Sequence, residues 1–490
     1  MIRRSQSVSS LAIALDRAAD QPLYRQVYRQ LREIILAGRL PTGALLPSSR
    51  TLTRELGISR TTLELAYDQL YADGYIQGRV GSGTYVASGP FPSPQAPAAE
   101  RRRHGRGPFR TSDLARRFGQ EVIPRDRYLR AFRPGLPETS LFPFSVWHRL
   151  VSKFWKNPPD GLLYSMPPAG YEPLRAAIAE YARSARGVMC TTDRVIITAS
   201  TQNATQLIAK TLVCRGDEVW VEEPGYPNAR YPLIDVGAKL ISVPVDAQGL
   251  SVSLGRQKAK NARLAMVTPS RQYPLGTTMD LSRRLELLEW ARGAGAWIVE
   301  DDYDAEYRYA GPPVSALQGL DRHGCVIYVG TFSKLMFRTL RIGYVIVPDG
   351  IIESFLRVRA ALDGQLSVAL QPALAEFIES GQFAKHIRRM RPLYAERQEL
   401  LLNEIERQLA DHLQAEPDVA GMHIVAKLRS NRRTDVRLSD LAYEAGISAP
   451  ALSAYYRGKP RQQALLLGYA GLRPHEITHG MSILRRQLVR

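Results

Sequence analysis

Cysteine is scarce in this chain of 490 residues, which contains only Cys190, Cys214 and Cys325. The three cysteines are widely spaced and odd in number, so they support neither a disulfide framework nor a zinc site. Long apolar runs are also missing, since no segment approaches the length of a membrane-spanning helix. We therefore expect a cytoplasmic protein with no export signal, no membrane anchor and no metal site.

Acidic residues are few relative to basic ones. The chain has 47 Asp and Glu against 66 Lys and Arg, a formal net charge of +19. This excess indicates a polyanionic partner, nucleic acid first, although charge alone does not choose between DNA, RNA and a membrane surface. The length predicts roughly two to four domains, and a hydrophobic content of 44% is enough for a sizeable core.

Residues 1–87 carry the pattern of a small helical module. Apolar residues recur at helical spacing over Leu23–Leu36, and Gly38 follows that helix. Ser48 is placed to cap a second, short helix, and Ser59 to cap a third. The periodicity of the third helix leaves Arg60 facing outward at its N-terminus, where a phosphate is favoured. Two short helices joined by a tight turn predict a helix-turn-helix.

Two strands joined by a glycine-rich turn follow within Tyr75–Val86 and predict a wing able to lie along a DNA backbone. The segment LPSSRTLTRELGISRTTLELAYDQLYADGYIQGRVGSGTYV closely resembles the GntR-type winged helix-turn-helix of bacterial repressors, and the resemblance covers nearly all of residues 20–87. The residues alone leave open a three-helix structural or protein-docking domain. The resemblance implies nine DNA-contacting candidates: Ser48, Ser49, Arg50, Ser59, Arg60, Thr61, Arg79, Gly81 and Gly83.

Residues 88–130 are rich first in proline and then in arginine, which predicts a semi-rigid linker. Its arginines either add non-specific DNA affinity or are merely solvated. From residue 131 to residue 490, near-continuous apolar strands alternate with amphipathic helices. This alternation predicts an α/β domain with a parallel or mostly parallel sheet covered on both faces. Ligands of such sheets bind at the carboxyl ends of the strands.

Polar motifs occur at those predicted strand ends. Val329–Tyr344 places Lys334 on the connection between two apolar strands. A lysine there suits Schiff-base chemistry with a carbonyl cofactor, and the hydroxyls and the arginine around it suit a phosphate. Taken singly, each motif has an ordinary explanation such as a solvated loop. The four carboxylates of Glu300–Asp304 leave open a metal or simply solvated acids, although no histidine lies near to help bind a transition metal. The other motifs are Thr198–Asn203, Glu222–Tyr226, Pro269–Gly276 and Glu300–Asp304.

Taken together, these motifs resemble the fold-type I aminotransferases that use pyridoxal 5′-phosphate. The resemblance rests on VTPSRQYPLGTTM, IVEDDYDAEYRY, VGTFSKLMFRTLRIGY and HIRRMRPLYAERQELL. It implies that Lys334 forms the Schiff base with the cofactor, that Asp301 pairs with the pyridinium nitrogen, and that Tyr303 contacts the phenolic oxygen of the ring. Tyr226 would stack on the ring. It also implies a small C-terminal α+β subdomain from about residue 375 to residue 490. The phosphate would be held by Ser200, Thr201, Thr331 and Arg341.

A GntR-type winged helix joined to such a domain is identified as the architecture of the MocR/GabR family of transcriptional regulators. The resemblance implies a head-to-tail, domain-swapped homodimer that binds repeated half-sites in double-stranded DNA. It also implies that an amine or amino-acid effector is sensed by forming an external aldimine in place of Lys334, without physiological turnover. Two alternatives stay open: an active aminotransferase that carries a DNA-binding module, and a DNA-binding protein whose large domain has lost the cofactor.

The predicted effector site departs from the family's pattern. The phosphate turn has Ala-Ser-Thr where Ser-Gly-Thr is common, and Arg338 replaces a frequent proline. Leu466 lies near the position of the arginine that binds a substrate carboxylate in aminotransferases. Asn228 stands where the γ-aminobutyrate sensor has an arginine, so the effector need not be a standard α-amino acid. Candidate effector contacts, each with a plain surface residue as its alternative, are Asn228, Arg230, Arg457 and Arg461.

Overall fold

The structure is a computed structural model that describes residues 13–79, 83–88, 131–362, 366–429 and 433–489. The chain divides into two compact units, Met1–Gly119 and Gln120–Arg490. The division falls inside the predicted linker, residues 88–130, of which all but residue 88 lies outside the described residues.

The N-terminal unit is a three-helix module with a β-hairpin. Val27, Leu31, Leu63 and Leu70 are fully buried and form the centre of its core. They come from the first and third helices, which pack together because their apolar residues recur at helical spacing. The elements are α1 (Leu23–Leu36), α2 (Ser49–Leu56), α3 (Arg60–Ala72), β1 (Ile76–Arg79) and β2 (Gly83–Val86).

Local capping explains where the two short helices begin. The hydroxyl of Ser48 accepts the backbone N–H of Thr51 at 3.2 Å, and that of Ser59 accepts the N–H of Thr62 at 3.0 Å. Gly57 ends α2 in the left-handed region, with φ +62°, which glycine adopts without steric cost. β1 and β2 pair antiparallel as the wing. The predicted winged helix-turn-helix is confirmed.

The C-terminal unit is an α/β domain. Strands and helices alternate along most of its length, as the apolar pattern predicts. Its helices are α4 (Phe144–Lys156), α5 (Asp160–Tyr164), α6 (Glu172–Arg186), α7 (Thr201–Leu212), α8 (Pro227–Asp235), α9 (Val252–Lys258), α10 (Leu281–Ala294), α11 (Ile352–Leu362), α12 (Gln371–Glu379), α13 (Gln382–Leu409), α14 (Asp435–Glu444) and α15 (Pro474–Val489). Its strands are β3 (Val195–Thr198), β4 (Glu218–Glu223), β5 (Lys239–Asp246), β6 (Gly249–Leu250), β7 (Leu264–Val267), β8 (Trp297–Asp302), β9 (Val326–Thr331), β10 (Gly343–Ile346), β11 (Leu413–Gln414), β12 (His423–Leu428) and β13 (Ala464–Gly468).

The central sheet has eight strands in the order β3-β10-β9-β8-β7-β4-β5-β6. Its middle is parallel, from β9 through β8, β7 and β4 to β5. β10 runs antiparallel to both of its neighbours, β9 and β3, so the sheet is mixed. Because β10 is reversed, β3 points the same way as the parallel strands, and the carboxyl ends of β3, β4, β7, β8 and β9 share one edge.

Apolar clusters cover both faces of this sheet. One contains Ile208, Val221 and Phe355, and another contains Trp220, Val267 and Trp290. The indoles of Trp220 and Trp290 stack with their centroids 3.7 Å apart. A separate antiparallel sheet, β11-β12-β13, joins the largest cluster. Among the described residues, no helix combines the length and the apolar character that a bilayer span needs.

Candidate functional site

A cavity of about 440 Å³ opens at the shared carboxyl edge of the sheet. It brings together all eight residues predicted to contact the cofactor, although they come from separate segments between Ser200 and Arg341. The position agrees with the general rule for ligands of α/β sheets. Its lining is Arg133, Pro134, Gly135, Ser200, Thr201, Gln202, Tyr226, Asn228, Thr268, Tyr273, Asp301, Tyr303, Thr331, Ser333, Lys334, Arg338, Arg341, Ser448, Pro450 and Tyr455.

Lys334 lies on the connection from β9 to β10, as predicted. Its Nζ is 4.3 Å from the ring centre of Tyr303 and 5.4 Å from that of Tyr273. Burial lowers the pKa of the Lys334 amine, and the nearby carboxylates of Asp304 and Asp301 only partly oppose this. A lowered pKa increases the fraction of neutral amine, which is the nucleophilic form.

Gly135 allows the chain to pass close to this lysine. A Cβ at position 135 would lie 3.4 Å from the Nζ of Lys334, and the backbone there has φ +72°. Both features favour glycine. Gly135 and its neighbours in the segment Phe-Arg-Pro-Gly were not predicted to belong to the site. The Pro-Gly pair near the start of the domain was the only sequence feature that could have indicated them.

Of the carboxylates at the end of β8, Asp301 is the one that lines the cavity. Glu300 accepts the backbone N–H groups of Leu317 and Gln318, both at 2.8 Å, and Asp302 pairs with Arg186. These contacts explain why so many acids are tolerated in a buried place. In the described part of the chain, no group of three or more His, Cys, Asp or Glu side chains is arranged to hold a metal ion.

Asp301 is buried, and its Oδ1 atom has no hydrogen-bond partner among the described residues. Burial raises the pKa of Asp301 to about 7, while the ammonium group of Lys334 acts in the opposite direction. A buried carboxylate with an unused acceptor is costly unless a cation or a protonated nitrogen lies against it. The site therefore offers one strong acceptor for a positively charged ligand atom.

Aromatic rings form one wall of the cavity. Tyr273 contacts Tyr226, Tyr303 and Tyr455 edge to face, at centroid distances of 5.5, 5.6 and 5.5 Å. The hydroxyls of Tyr273 and Tyr455 are 3.3 Å apart. The hydroxyl of Tyr226 accepts the side-chain amide of Asn228 at 3.1 Å. This wall offers flat apolar surface and neutral hydroxyls to a ligand.

A second group of lining residues suits an anion. Ser200 caps the N-terminus of α7, where its hydroxyl accepts the N–H of Asn203 at 3.1 Å, and Thr201 begins that helix. Thr331 at the end of β9 and Arg341 before β10 line the same cavity. Arg341 has φ +55°, a backbone conformation that is uncommon for arginine and often found at ligand sites. Helix dipole, hydroxyls and guanidinium together favour a phosphate.

Arg271 is a site residue that the sequence analysis did not single out. Its guanidinium is buried, donates to the Tyr303 hydroxyl at 3.2 Å and pairs with Asp418 at 2.7 Å. It also donates to the backbone oxygen of His423 at 2.9 Å. Arg271 therefore connects Tyr303 of the cavity by hydrogen bonds to Asp418 and to His423, the first residue of β12. The polar residues of the VTPSRQYPLG motif were its only sequence signal.

The four predicted effector contacts have different positions. Asn228 lines the cavity. The guanidinium of Arg230 donates to the backbone oxygens of Gly225 and Tyr455, and that of Arg457 donates to the backbone oxygen of Leu240. These two arginines line a neighbouring groove, and Arg461 lines neither space. The structure instead brings Arg133 and Arg338 into the cavity lining.

In the N-terminal unit, the predicted DNA contacts gather at the first turns of α2 and α3. Ser48, Ser49, Arg50, Ser59, Arg60 and Thr61 are there. Arg60 is exposed and pairs with Glu64 at 2.9 Å. Gly83 begins β2 with φ +108°. Arg79 ends β1, and Gly81 lies outside the described residues.

Comparisons with known proteins agree with both units. Residues 158–483 match the family Aminotransferase class I and II, and residues 23–86 match Bacterial regulatory proteins, gntR family. The chain is 43% identical to the probable rhizopine catabolism regulatory protein MocR of Rhizobium meliloti, over 96% of this chain and 95% of that protein. It is 30% identical to the pyridoxine biosynthesis transcriptional regulator PdxR of Corynebacterium glutamicum, over 94% and 95% of the two chains.

Among solved structures, the chain is similar to kynurenine aminotransferase of Pyrococcus horikoshii, which was crystallised in complex with PMP. The TM-score is 0.68 and the identity 25%, over 78% of this chain and 95% of that one. Fold, cavity and comparisons define a DNA-binding regulator of transcription that carries an aminotransferase-like domain with pyridoxal phosphate as its cofactor. The chain belongs to the MocR family of transcriptional regulators, as predicted.

Proposed function

We propose that Lys334, Asp301 and Tyr303 hold the reactive end of pyridoxal phosphate in the cavity at the carboxyl edge of the sheet. The observation that carries this proposal is that the three side chains, two from the end of β8 and the residue after it and one from the connection between β9 and β10, line one space. The unpaired Oδ1 of Asp301 fits a protonated ring nitrogen, which would satisfy it. When bound, the cofactor supplies an aldehyde carbon that reacts with primary amines.

The other side chains of the cavity position the cofactor. Tyr226 would stack on the ring, and Tyr303, whose hydroxyl accepts from Arg271, would donate to the phenolic oxygen. The phosphate end is served by a helix N-terminus, hydroxyls and one guanidinium. The residues proposed for that end are Ser200, Thr201, Thr331 and Arg341.

The regulator would respond to an amine that displaces Lys334 from the cofactor. The neutral amine of Lys334, favoured by its lowered pKa, must be free to leave and return. Next to it, the Tyr226, Asn228 and Tyr455 wall is polar but uncharged. On β13, Leu466 is fully buried, and this strand contains no arginine or lysine that could bind a carboxylate. An effector with a primary amine and neutral hydroxyl groups suits this wall, whereas an effector with a carboxylate would need Arg133 or Arg338, which line the same cavity.

We further propose that the protein acts as a cytoplasmic homodimer whose subunits associate head to tail. Large apolar side chains are exposed on α4 and α5: Phe144 is 50% exposed, Trp155 48%, and Tyr164 89%. Exposed aromatic side chains on two consecutive helices support an interface there. Two copies of the winged helix would then bind two half-sites of one operator. An effector regulates DNA binding only if it binds the two states of the dimer unequally.

A titration of the purified protein with a panel of amines tests this function. We expect one amine to shift the visible absorption of the bound cofactor to a stable new form and to change the affinity for DNA. The panel should contain amino acids and hydroxylated amines without a carboxylate. If the spectrum instead converts to the pyridoxamine form and cycles when a keto acid is added, the protein is an aminotransferase first.

Replacing Arg60 with glutamine should weaken DNA binding and leave cofactor binding unchanged. Arg60 is exposed at the N-terminus of α3, where one lost phosphate contact should lower affinity by about tenfold and reduce the slope of log affinity against log salt by about one. The measurement is a fluorescence titration, at several salt concentrations, of DNA that the unaltered protein selects from a random pool.

Arg29→Gln is the matched control, because Arg29 is also exposed and also pairs with a glutamate four residues on, Glu33, at 3.8 Å. It belongs to α1 and not to the predicted contact set. Equal losses of affinity in both variants would mean that only the overall charge matters, and an unchanged affinity in Arg60→Gln would remove that residue from the interface.

A further inference from the structure

A second cavity, of about 270 Å³, lies apart from the cofactor cavity, between α6, the loop after β8 and the first turns of α13. Its lining is unusually rich in arginine, and the two cavities have no lining residue in common. The charged side chains are Arg186, Arg271, Arg308, Arg388, Arg391 and Glu306.

Two of these arginines form ion pairs within the domain. Arg186 pairs with Asp302 at 2.8 Å and donates to Ser270 and to the backbone oxygen of Val314. Arg271 pairs with Asp418 and Asp304.

Arg308 and Arg388 make no side-chain hydrogen bond or ion pair with another residue in the part of the chain that the structure describes. The Nε of Arg308 is also buried, and it has no hydrogen-bond partner among the described residues. Arg391 uses its Nε to donate to the backbone oxygen of Glu306 at 2.7 Å. Guanidinium groups facing one space without an acidic partner are the arrangement that binds carboxylates and phosphates.

Buried polar atoms of two further lining residues also lack a partner: the Nε of Arg271 and the Oε2 of Glu306. Glu306 is buried, and its other oxygen accepts the hydroxyl of Tyr181 at 2.5 Å. Burial, and after it the charge of Asp302, raises the pKa of Glu306. A protonated Glu306 would be a donor rather than a repulsive charge. Three unsatisfied buried groups around one space indicate a missing ligand.

We infer that this cavity is a second ligand site, for a small anion that carries phosphate or carboxylate groups. Arg308 and Arg388 bind its negative charge, and the buried Nε of Arg308 is one of the donors. The site is separate from the amine-sensing role proposed above and does not depend on it.

Arg271 connects this site to the cofactor cavity. It lines the second cavity, and its guanidinium also donates to the hydroxyl of Tyr303, which lines the first. An anion bound beside Arg271 competes with that hydrogen bond and with the ion pair to Asp418. Binding in the second cavity should therefore change the surroundings of the cofactor, so that the regulator receives two signals.

The test is calorimetric titration of the full-length protein, loaded with pyridoxal phosphate, with inorganic phosphate and separately with succinate at constant ionic strength. Loading with the cofactor occupies the proposed phosphate site of the first cavity, so that added phosphate does not bind there. All proteins in this test also carry Arg60→Gln, which removes a proposed phosphate contact of the DNA-binding unit. We expect Arg308→Gln and Arg388→Gln each to weaken binding of the preferred anion by about tenfold, the usual effect of losing one charged hydrogen bond.

Lys385→Gln is the matched control, because Lys385 is an exposed cation of the same helix, α13, that does not line the cavity. Arg388 is exposed, so its replacement leaves the fold intact even if Arg308→Gln does not fold. The inference is overturned if neither anion binds the loaded protein, or if Arg388→Gln binds as the control does. A shift of visible absorption on anion binding, lost in Arg388→Gln, is expected from the Arg271 link, and its absence would rule that link out.

Discussion

Lys334→Ala is expected to abolish the visible absorption of the lysine-linked cofactor and every response of DNA binding to an amine. Lys334 is the one lysine of the cofactor cavity, and its buried amine lies 4.3 Å from the ring centre of Tyr303. Without it, none of the described residues that line the cavity has a side-chain amine that could form the covalent link. DNA binding in the absence of effector should persist, since the winged helix belongs to the other compact unit.

Lys334→Arg is the sharper comparison, because it keeps a positive charge near Asp301 and Asp304 but cannot form the covalent link. If both variants lose the visible band and keep basal DNA affinity, the role of Lys334 is chemical. A variant that loses DNA binding together with the cofactor would show that the lysine is needed for the fold, which would contradict the proposed role.

Asp301→Asn should lower the affinity for pyridoxal phosphate by about tenfold or more, because it replaces the ionised acceptor of a charge-assisted hydrogen bond with a neutral amide. Asp301 is 7% exposed, so water cannot take over this contact. The dissociation constant is measured by adding cofactor back to the cofactor-free protein and following visible absorption. The same spectra report the position of the band, which should also move.

Asp302→Asn is the control at the adjacent position. Asp302 accepts from Arg186 and from the hydroxyl of Tyr328 at 2.7 Å, and it does not line the cavity. Its replacement should lower the thermal midpoint of unfolding and change cofactor affinity far less. Equal effects of the two substitutions on cofactor affinity would assign Asp301 a structural role.

The secondary structure around the site was largely predictable because short-range interactions determine it. Helical periodicity locates α1 and α3, and serine hydroxyls that accept N–H groups three residues on determine where α2 and α3 begin. Apolar strands followed by polar motifs place Lys334 and Asp301 at one sheet edge. The reversed direction of β10 was not predictable, because a short apolar strand reads the same whether it pairs parallel or antiparallel.

The arginines show where sequence reasoning stops. Arg230 and Arg457 were predicted as effector contacts, but their guanidinium groups donate to backbone oxygens of residues more than 200 positions away, Tyr455 and Leu240. Arg271 was not singled out, although it links Tyr303 to Asp418. An arginine with five N–H donors binds whatever acceptors the fold brings near it, and no local pattern reveals them.

The sequence by itself determined the two-part architecture, the family and the cofactor, together with the lysine and the aspartate proposed to react with and charge that cofactor. The architecture follows from local periodicity and from polar motifs at strand ends, and the family, the cofactor and the two residue roles follow from the resemblance of those motifs to known families. Only the tertiary structure decided which charged groups remain available for ligands. Burial and long-range hydrogen bonding commit some arginines to the fold and leave Arg308 and Arg388 facing a second cavity, because whether a charge is satisfied depends on packing between distant segments.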